Sequence, residues 1–318
     1  MRNVAIDIVR GFAVFSMMFS HTLDFFSNNL NLYGDFWLRS GLDQFNWMPV
    51  FFVTVGVCLG LPTRNPKRIV KRAALYMILG ALLCLWIGSI DADVVFIIGF
   101  YTLLSLPLVY AFKNHKGKAL IAVFVVSFLL TKILRQNQIY IYPFSYGFTL
   151  CITLPFIFVG WYLSDKIISN DSKTISKFAL ILVPLTIVSI LFGLTLVSLT
   201  IVSTLFWPVS FYEQTLSLVL LDSLIVCLIY VLTMHFQNFR IMKFFEFFGN
   251  NALAFFLFPW VIVYKILAVT QTLRNFEFFT SLTLTLLFLT LFSLFIAKKP
   301  WHILEMPRKA NVLLKILK

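Results

Sequence analysis

Apolar residues fall in runs of about 17 to 24 along nearly the whole chain, broken by short polar stretches. A run of that length lets an α-helix cross about 30 Å of hydrocarbon at about 1.5 Å per residue. The pattern predicts ten spanning helices, near residues 4–24, 47–62, 69–89, 93–112, 118–135, 148–165, 178–201, 215–234, 246–268 and 279–297. The expected fold is therefore all-α, a polytopic helical membrane protein. One transmembrane domain is expected over 1–297, with a basic cytoplasmic tail over 298–318. Pro155, Pro184 and Pro259 fall inside predicted spans and are expected to kink them. No internal repeat or low-complexity linker interrupts the series.

Composition sharpens this picture. Of 318 residues, 60% are hydrophobic and 12% charged, too little polar surface to cover a soluble protein of this size. The net charge of +13 would suit nucleic acid, but the cations sit in loops between spans, where topology accounts for them. Of the 26 Lys and Arg, Arg10 and Lys265 lie within spans, and Arg39, Lys132, Arg135 and Arg274 fall on one side. All the others fall on the opposite side, which places both termini in the cytoplasm. A multi-pass protein of the cell membrane is expected, with lipids as partners and no nucleic acid; an oligomer is compatible with this reading. The four cysteines lie inside apolar runs without ligand spacing, so no metal site is expected. Asp7 and Arg10 break the apolar region that a signal peptide would need, and the N-terminal stretch is read as a retained first span.

Those two residues belong to the least ordinary stretch, "IDIVRGFAVFSMMFSHTLDFF", residues 6–26. At about 100° per residue, Arg10 and His21 point within about 20° of each other and lie about 16 Å apart along the axis. Asp7 and Asp24 flank them on the same stripe. Facing lipid, a central Arg or Asp would cost about 2.5–3.5 kcal/mol, so the stripe must face protein or a water-filled cavity. Asp7 and Arg10, at i and i+3, can form an ion pair that ties helices together. A histidine with a carboxylate one turn away can have its tautomer held and its imidazolium stabilised, as acid–base catalysis requires.

The residues also carry a resemblance. Asp7, Arg10, Gly11 and His21 resemble the first helix of the transmembrane acyltransferase superfamily. That superfamily includes acyltransferase-3 proteins and heparan-α-glucosaminide N-acetyltransferase-like proteins. "MPVFFVTVG" is similar to the second-helix pattern of the latter branch, through Pro49, Phe51 and Gly56. "FGNNALAFFLFPW" resembles its late Gly-x-Asn segment, through Gly249 and Asn251. "KRIVKR" sits where acyltransferase-3 proteins carry paired arginines, and "ILEMPRK" resembles their Glu-Arg-Pro ending with Met306 in place of arginine. Where some members carry a histidine ten residues after the late glycine, this chain has Pro259.

The resemblance implies transfer of an acyl group, by default acetyl, from cytoplasmic acyl-CoA to a hydroxyl or amine on an extracytoplasmic glycan or small molecule. Acyl-CoA is then a co-substrate, and no cofactor is bound permanently. In that reading His21 is general base, oriented by Asp24, or a nucleophile forming an acyl-histidine. Arg10 contacts the donor or fixes the passage wall, paired with Asp7. "TRNPKRIVKR", with Arg64, Arg68 and Arg72, supplies cations for the CoA phosphates at a helix start whose N–H groups favour anions; a positive-inside signal explains the same cations. Asn251 and Asp222 are the candidate acceptor residues, with helix pairing as the other explanation of Asp222. The rival reading is a transporter or flippase with an intramembrane Asp/Arg/His pathway.

Overall fold

A computed structural model describes residues 3–62, less 27–46, then 65–87, 94–136, 150–200, 216–255 and 278–297. The side chains of some helical residues, His21 and Asp24 among them, lie outside that description. Within it the protein is all-α, with no strand. The helices are α1 (Val4–Phe26), α2 (Trp47–Leu59), α3 (Pro66–Ile87), α4 (Val94–Ala111), α5 (Lys116–Gln136), α6 (Leu150–Ile168), α7 (Ser172–Thr200), α8 (Leu216–Phe236), α9 (Arg240–Asn250) and α10 (Phe278–Ala297). Each predicted segment overlaps one of them. The ninth differs most: α9 starts at Arg240, six residues before the predicted span, and a turn follows at Asn251. Arg240 and Lys243 had read as loop charges, yet both sit exposed on helix. The part of that prediction beyond Phe255, including Pro259, lies outside the described residues. Pro155 and Pro184 lie inside α6 and α7, and Pro107 inside α4.

The chain divides into two compact units: Met1–Ala13 with Asn46–Gly249, and Val14–Phe45 with Asn250–Lys318. In the first, α2 packs most closely on α6, α3 on α4, α7 on α8 and α5 on α6. Small residues make the α2–α6 approach possible. A Cβ on Gly56 would collide with the Ile157 carbonyl, and one on Gly160 with the Val53 carbonyl. One on Gly60, just past α2, would collide with the Ser164 hydroxyl. Gly56 and Gly60 are four residues apart, as are Gly160 and Ser164, the small-xxx-small spacing by which helices touch backbone to backbone.

The outward faces of this unit are apolar. On α3, Ile69, Ala73 and Leu83 are buried, whereas Leu75, Ile78, Leu82 and Leu85 point out, Leu85 being 79% exposed. Exposed Ile121 and Val125 on α5, and Leu228 and Leu232 on α8, repeat the arrangement. Inside, hydroxyls return to their own helices: Thr54, Thr102, Thr186 and Ser223 each donate to the carbonyl four residues back, at 2.6–2.8 Å. Among the described residues one segment is long and apolar enough to cross a membrane, Val219–Phe236 in α8; Pro49–Leu59, Val95–Ala111 and Thr283–Ala297 are apolar but shorter.

The α6–α7 turn shows how local sequence sets a corner. Asn170 takes a left-handed φ of 58°. The Asp171 N–H then donates to the Lys166 carbonyl (2.8 Å) and the Asn170 N–H to that of Ile167 (3.3 Å), the Schellman closure of a helix. Asp171 starts the next helix as its N-cap, accepting the Thr174 N–H (3.1 Å) and hydroxyl (2.7 Å).

In the second unit, Phe255 packs edge-on against Phe292 of α10, with ring centroids 5.5 Å apart. Phe15 and Phe19 stack along their stretch of α1.

Candidate functional site

Three polar residues, Asn3, Asp7 and Arg10, tie the N-terminal half of α1 to its neighbours in the first unit. Asn3 caps that helix, its Oδ1 accepting the Ile6 N–H (3.3 Å), while its Nδ2 donates to the Ile167 carbonyl of α6 (3.2 Å). One turn on, Asp7 is buried, at 6% exposed. Its Oδ1 accepts a 2.6 Å hydrogen bond from the terminal nitrogen of Arg10, which closes the i, i+3 ion pair. Arg10 also donates through Nε to the Gly249 carbonyl at 2.8 Å. Gly249 is next to last in α9, where helix carbonyls run out of intrahelical partners and a cation is favoured.

This junction requires glycine on both helices. A Cβ at Gly11 would collide with the Phe245 carbonyl of α9, and one at Gly249 with the Asp7 carbonyl of α1. Phe12 and Phe245 close the contact edge to face, at 5.5 Å. The Asp-x-x-Arg-Gly stretch and the late glycine, 239 residues apart in sequence, therefore form a single structural unit.

Behind it lies a buried polar pair between α2 and α8. The Thr54 and Tyr230 hydroxyls are 3.2 Å apart. Thr54 gives its proton to the Val50 carbonyl (2.7 Å), so Tyr230 donates to Thr54. Tyr230 is fully buried, within electrostatic reach of Arg10, Cys58 and Cys227. Nothing in the sequence reading singled out Thr54 or Tyr230, each of which stands among apolar residues of its predicted span. Asp222, two turns before Tyr230, is buried and engaged in an interaction.

His21 and Asp24 lie on α1 with Asp7 and Arg10, but they belong to the second unit and their side chains lie outside the described residues. Asn251 also belongs to the second unit; it is half-buried, and its carbonyl accepts the Phe255 N–H at 3.0 Å.

At the start of α3, Lys67, Arg68, Lys71 and Arg72 are all exposed, while Arg64 lies outside the described residues. The helix start differs from expectation in its backbone. Pro66 has no N–H, the Lys67 N–H goes to Asn65 Oδ1 (2.9 Å), and those of Arg68 and Ile69 go to the Asn65 carbonyl (2.9 and 3.2 Å). Asn65 as N-cap and Pro66 at the first helical position take up the amides that an anion would use. Any attraction for phosphate here comes from the side chains.

A second cation is held at the start of α5. Lys116 donates to Asp165 Oδ2 (2.6 Å) and Ser164 Oγ (3.1 Å), and stands 5.6 Å from the centre of the buried Trp161 ring. No group of three or more metal-ligating side chains occurs among the described residues.

Comparison with known proteins identifies a family. The family model described as "Heparan-alpha-glucosaminide N-acetyltransferase, catalytic" matches residues 2–171, just over half of the chain. The match runs from the cap of α1 to the α6–α7 corner, and so takes in Asp7, Arg10, His21, Asp24 and the basic start of α3. No curated protein matches the chain, and no solved structure matches it.

Proposed function

The chain belongs to the heparan-alpha-glucosaminide N-acetyltransferase catalytic family, and we propose that it is a multi-pass membrane enzyme of the cell membrane that moves an acetyl group from cytoplasmic acetyl-CoA to an amine or hydroxyl of an extracytoplasmic glycan. The family match over the polar first helix carries the reading. Two observations support the membrane part: outward faces built from Leu, Ile and Val, and helices that meet through glycine, as they do in lipid.

The reaction is acyl transfer. His21 takes the proton of the acceptor amine or hydroxyl as that group attacks the thioester carbonyl. The new C–N or C–O bond forms, the C–S bond breaks, and CoA leaves as a thiolate that recovers the proton from His21. Asp24 orients the imidazole. In the two-step variant His21 itself attacks, and the acceptor then displaces it. Lys67, Arg68, Lys71 and Arg72, with Arg64, attract the CoA phosphates electrostatically. Arg10 has five N–H donors; those bound to Asp7 and Gly249 hold the wall, and its exposed part meets the thioester arm. Asn251 and Asp222 are assigned to the acceptor by this reading alone. A transport pathway gains no support from Asp7 and Arg10, because they neutralise each other in a fixed pair.

The test is sidedness. In sealed vesicles, labelled acetyl-CoA on the cytoplasmic face should acetylate glucosamine enclosed on the other side. Acetylation only where donor and acceptor share a side overturns the transmembrane mechanism. Transfer of unmodified glucosamine without acetylation favours a transporter.

A further inference from the structure

The end of α8 and the start of α9 form a surface that the acyl-transfer reading does not use. The two helices join in a tight turn, with the Phe239 N–H donating to the Phe236 carbonyl (2.9 Å) and the Met242 N–H to that of Phe239 (3.0 Å). The apolar segment that ends at Phe236 is the one long enough to cross a bilayer. If α8 crosses, Phe236 sits at the membrane surface and the first turns of α9 begin there.

The side chains on this stretch suit that location. Exposed Leu228, Leu232 and Phe236 run down the outer face of α8, and exposed Phe239, Ile241 and Phe244 continue it. Phe239 and Ile241 are each 58% exposed, too open for a packed core. Arg240 and Lys243 are exposed among them. The one acidic residue of α9, Glu246, is half-buried on the following turn. Rings and aliphatic chains beside cations seek the boundary between acyl chains and headgroups: the apolar groups enter the hydrocarbon and the cations reach phosphate. The apolar face is continuous with that of α8, so the occupant is the lipid that surrounds α8.

We propose that Phe236–Phe244 is a docking surface for anionic phospholipid, with Arg240 and Lys243 on the headgroup and Phe239, Ile241 and Phe244 in the acyl boundary. This rests on the membrane reading of α8. The same helix presents Gly249 to Arg10 about 13 Å further along its axis.

The experiment uses the full chain reconstituted in phosphatidylcholine vesicles with spin-labelled phosphatidylglycerol or spin-labelled phosphatidylcholine, reading the motionally restricted fraction of each. The parent should restrict phosphatidylglycerol in preference. The Arg240→Gln/Lys243→Gln variant should lose about fivefold of that preference per cation removed, and Arg240→Lys/Lys243→Arg should keep it. Equal restriction of both lipids by the parent, or undiminished preference in the Gln variant, overturns the proposal while leaving the membrane reading intact. Restriction of neither lipid overturns both. The readout needs no donor or acceptor, so it is independent of whether the protein transfers acetyl groups.

Discussion

Arg10 and Gly249 meet at 2.8 Å, guanidinium to carbonyl, although 239 residues separate them. The contact joins the first helix to the end of α9, and it exists because neither Gly11 nor Gly249 carries a Cβ. A charged side chain and two hydrogen atoms in place of methyl groups together fix where α1 stands.

Adding those methyl groups should push the helices apart. Gly11→Ala and Gly249→Ala are each predicted to cost about 3 kcal/mol or more, the upper end for overpacking, because the obstacle is backbone that cannot rotate away. Gly117→Ala is the contrasting change. Its Cβ would meet only a Tyr162 ring carbon at 3.7 Å, and the gain in helix propensity should raise stability by about 0.5 kcal/mol. Thermal unfolding in detergent should show a lower midpoint for the first two variants and a slightly higher one for the third.

Neutralising one partner of the ion pair should be costly too. Asp7→Asn leaves the Arg10 charge with neutral acceptors alone, the amide oxygen at position 7 and the Gly249 carbonyl. The side chain of Arg10 is 33% exposed, so water offsets part of the loss. The cost should be about 1–2 kcal/mol, less than for a fully buried pair. Urea titration of the reconstituted protein measures it, and an unchanged midpoint would mean the pair contributes little.

Lys116 is held by a ring and a carboxylate, and the two are separable. Asp165 is 64% exposed, so Asp165→Asn should change stability by under about 1 kcal/mol. Lys116→Met removes the cation over Trp161 as well and should cost about 1–2 kcal/mol. Equal midpoints for the two variants would show that the ring contributes nothing.

The Asp171 cap should respond to acid. Its hydrogen bonds from the Thr174 hydroxyl and N–H hold the carboxyl below its ordinary value of 3.8. A depressed carboxylate stabilises fully above its unfolded pKa and loses the effect as pH falls through the folded one. Protection of the Thr174 amide from hydrogen exchange, relative to its intrinsic rate at each pH, should therefore stay high at pH 5 and fall below 3.8. In Asp171→Ala the amide should show little protection at any pH.

Much of this was legible in advance, and what was missed had physical causes. Most of the helices follow from run length, α9 with its basic first turn being the exception, and the Asp7–Arg10 pair follows from i, i+3 spacing and the cost of an isolated charge. Gly249 could be found only through resemblance: a glycine says that something comes close, but its partner lies on a helix more than two hundred residues away. The same applies to Gly56 and Gly60, whose spacing was visible and whose counterparts, Gly160 and Ser164, appear only once α2 and α6 are packed. Asn65 shows the opposite fault. An Asn-Pro pair ahead of a basic run is a readable cap and first-turn signal, and it removes the amides that the sequence reading had offered to phosphate. Tyr230 was hidden because a buried phenol looks like any other aromatic residue until Thr54 is seen beside it.

The central claim is that His21, on the polar helix, moves the acyl group, and donor turnover tests it most directly. Purified parent protein should release CoA from labelled acetyl-CoA when an amine acceptor is present. His21→Ala, with its unfolding midpoint unchanged, should do so about 10²–10⁴ times more slowly, the usual contribution of a positioned acid–base group. Release at the parental rate by the folded His21→Ala protein would contradict the account.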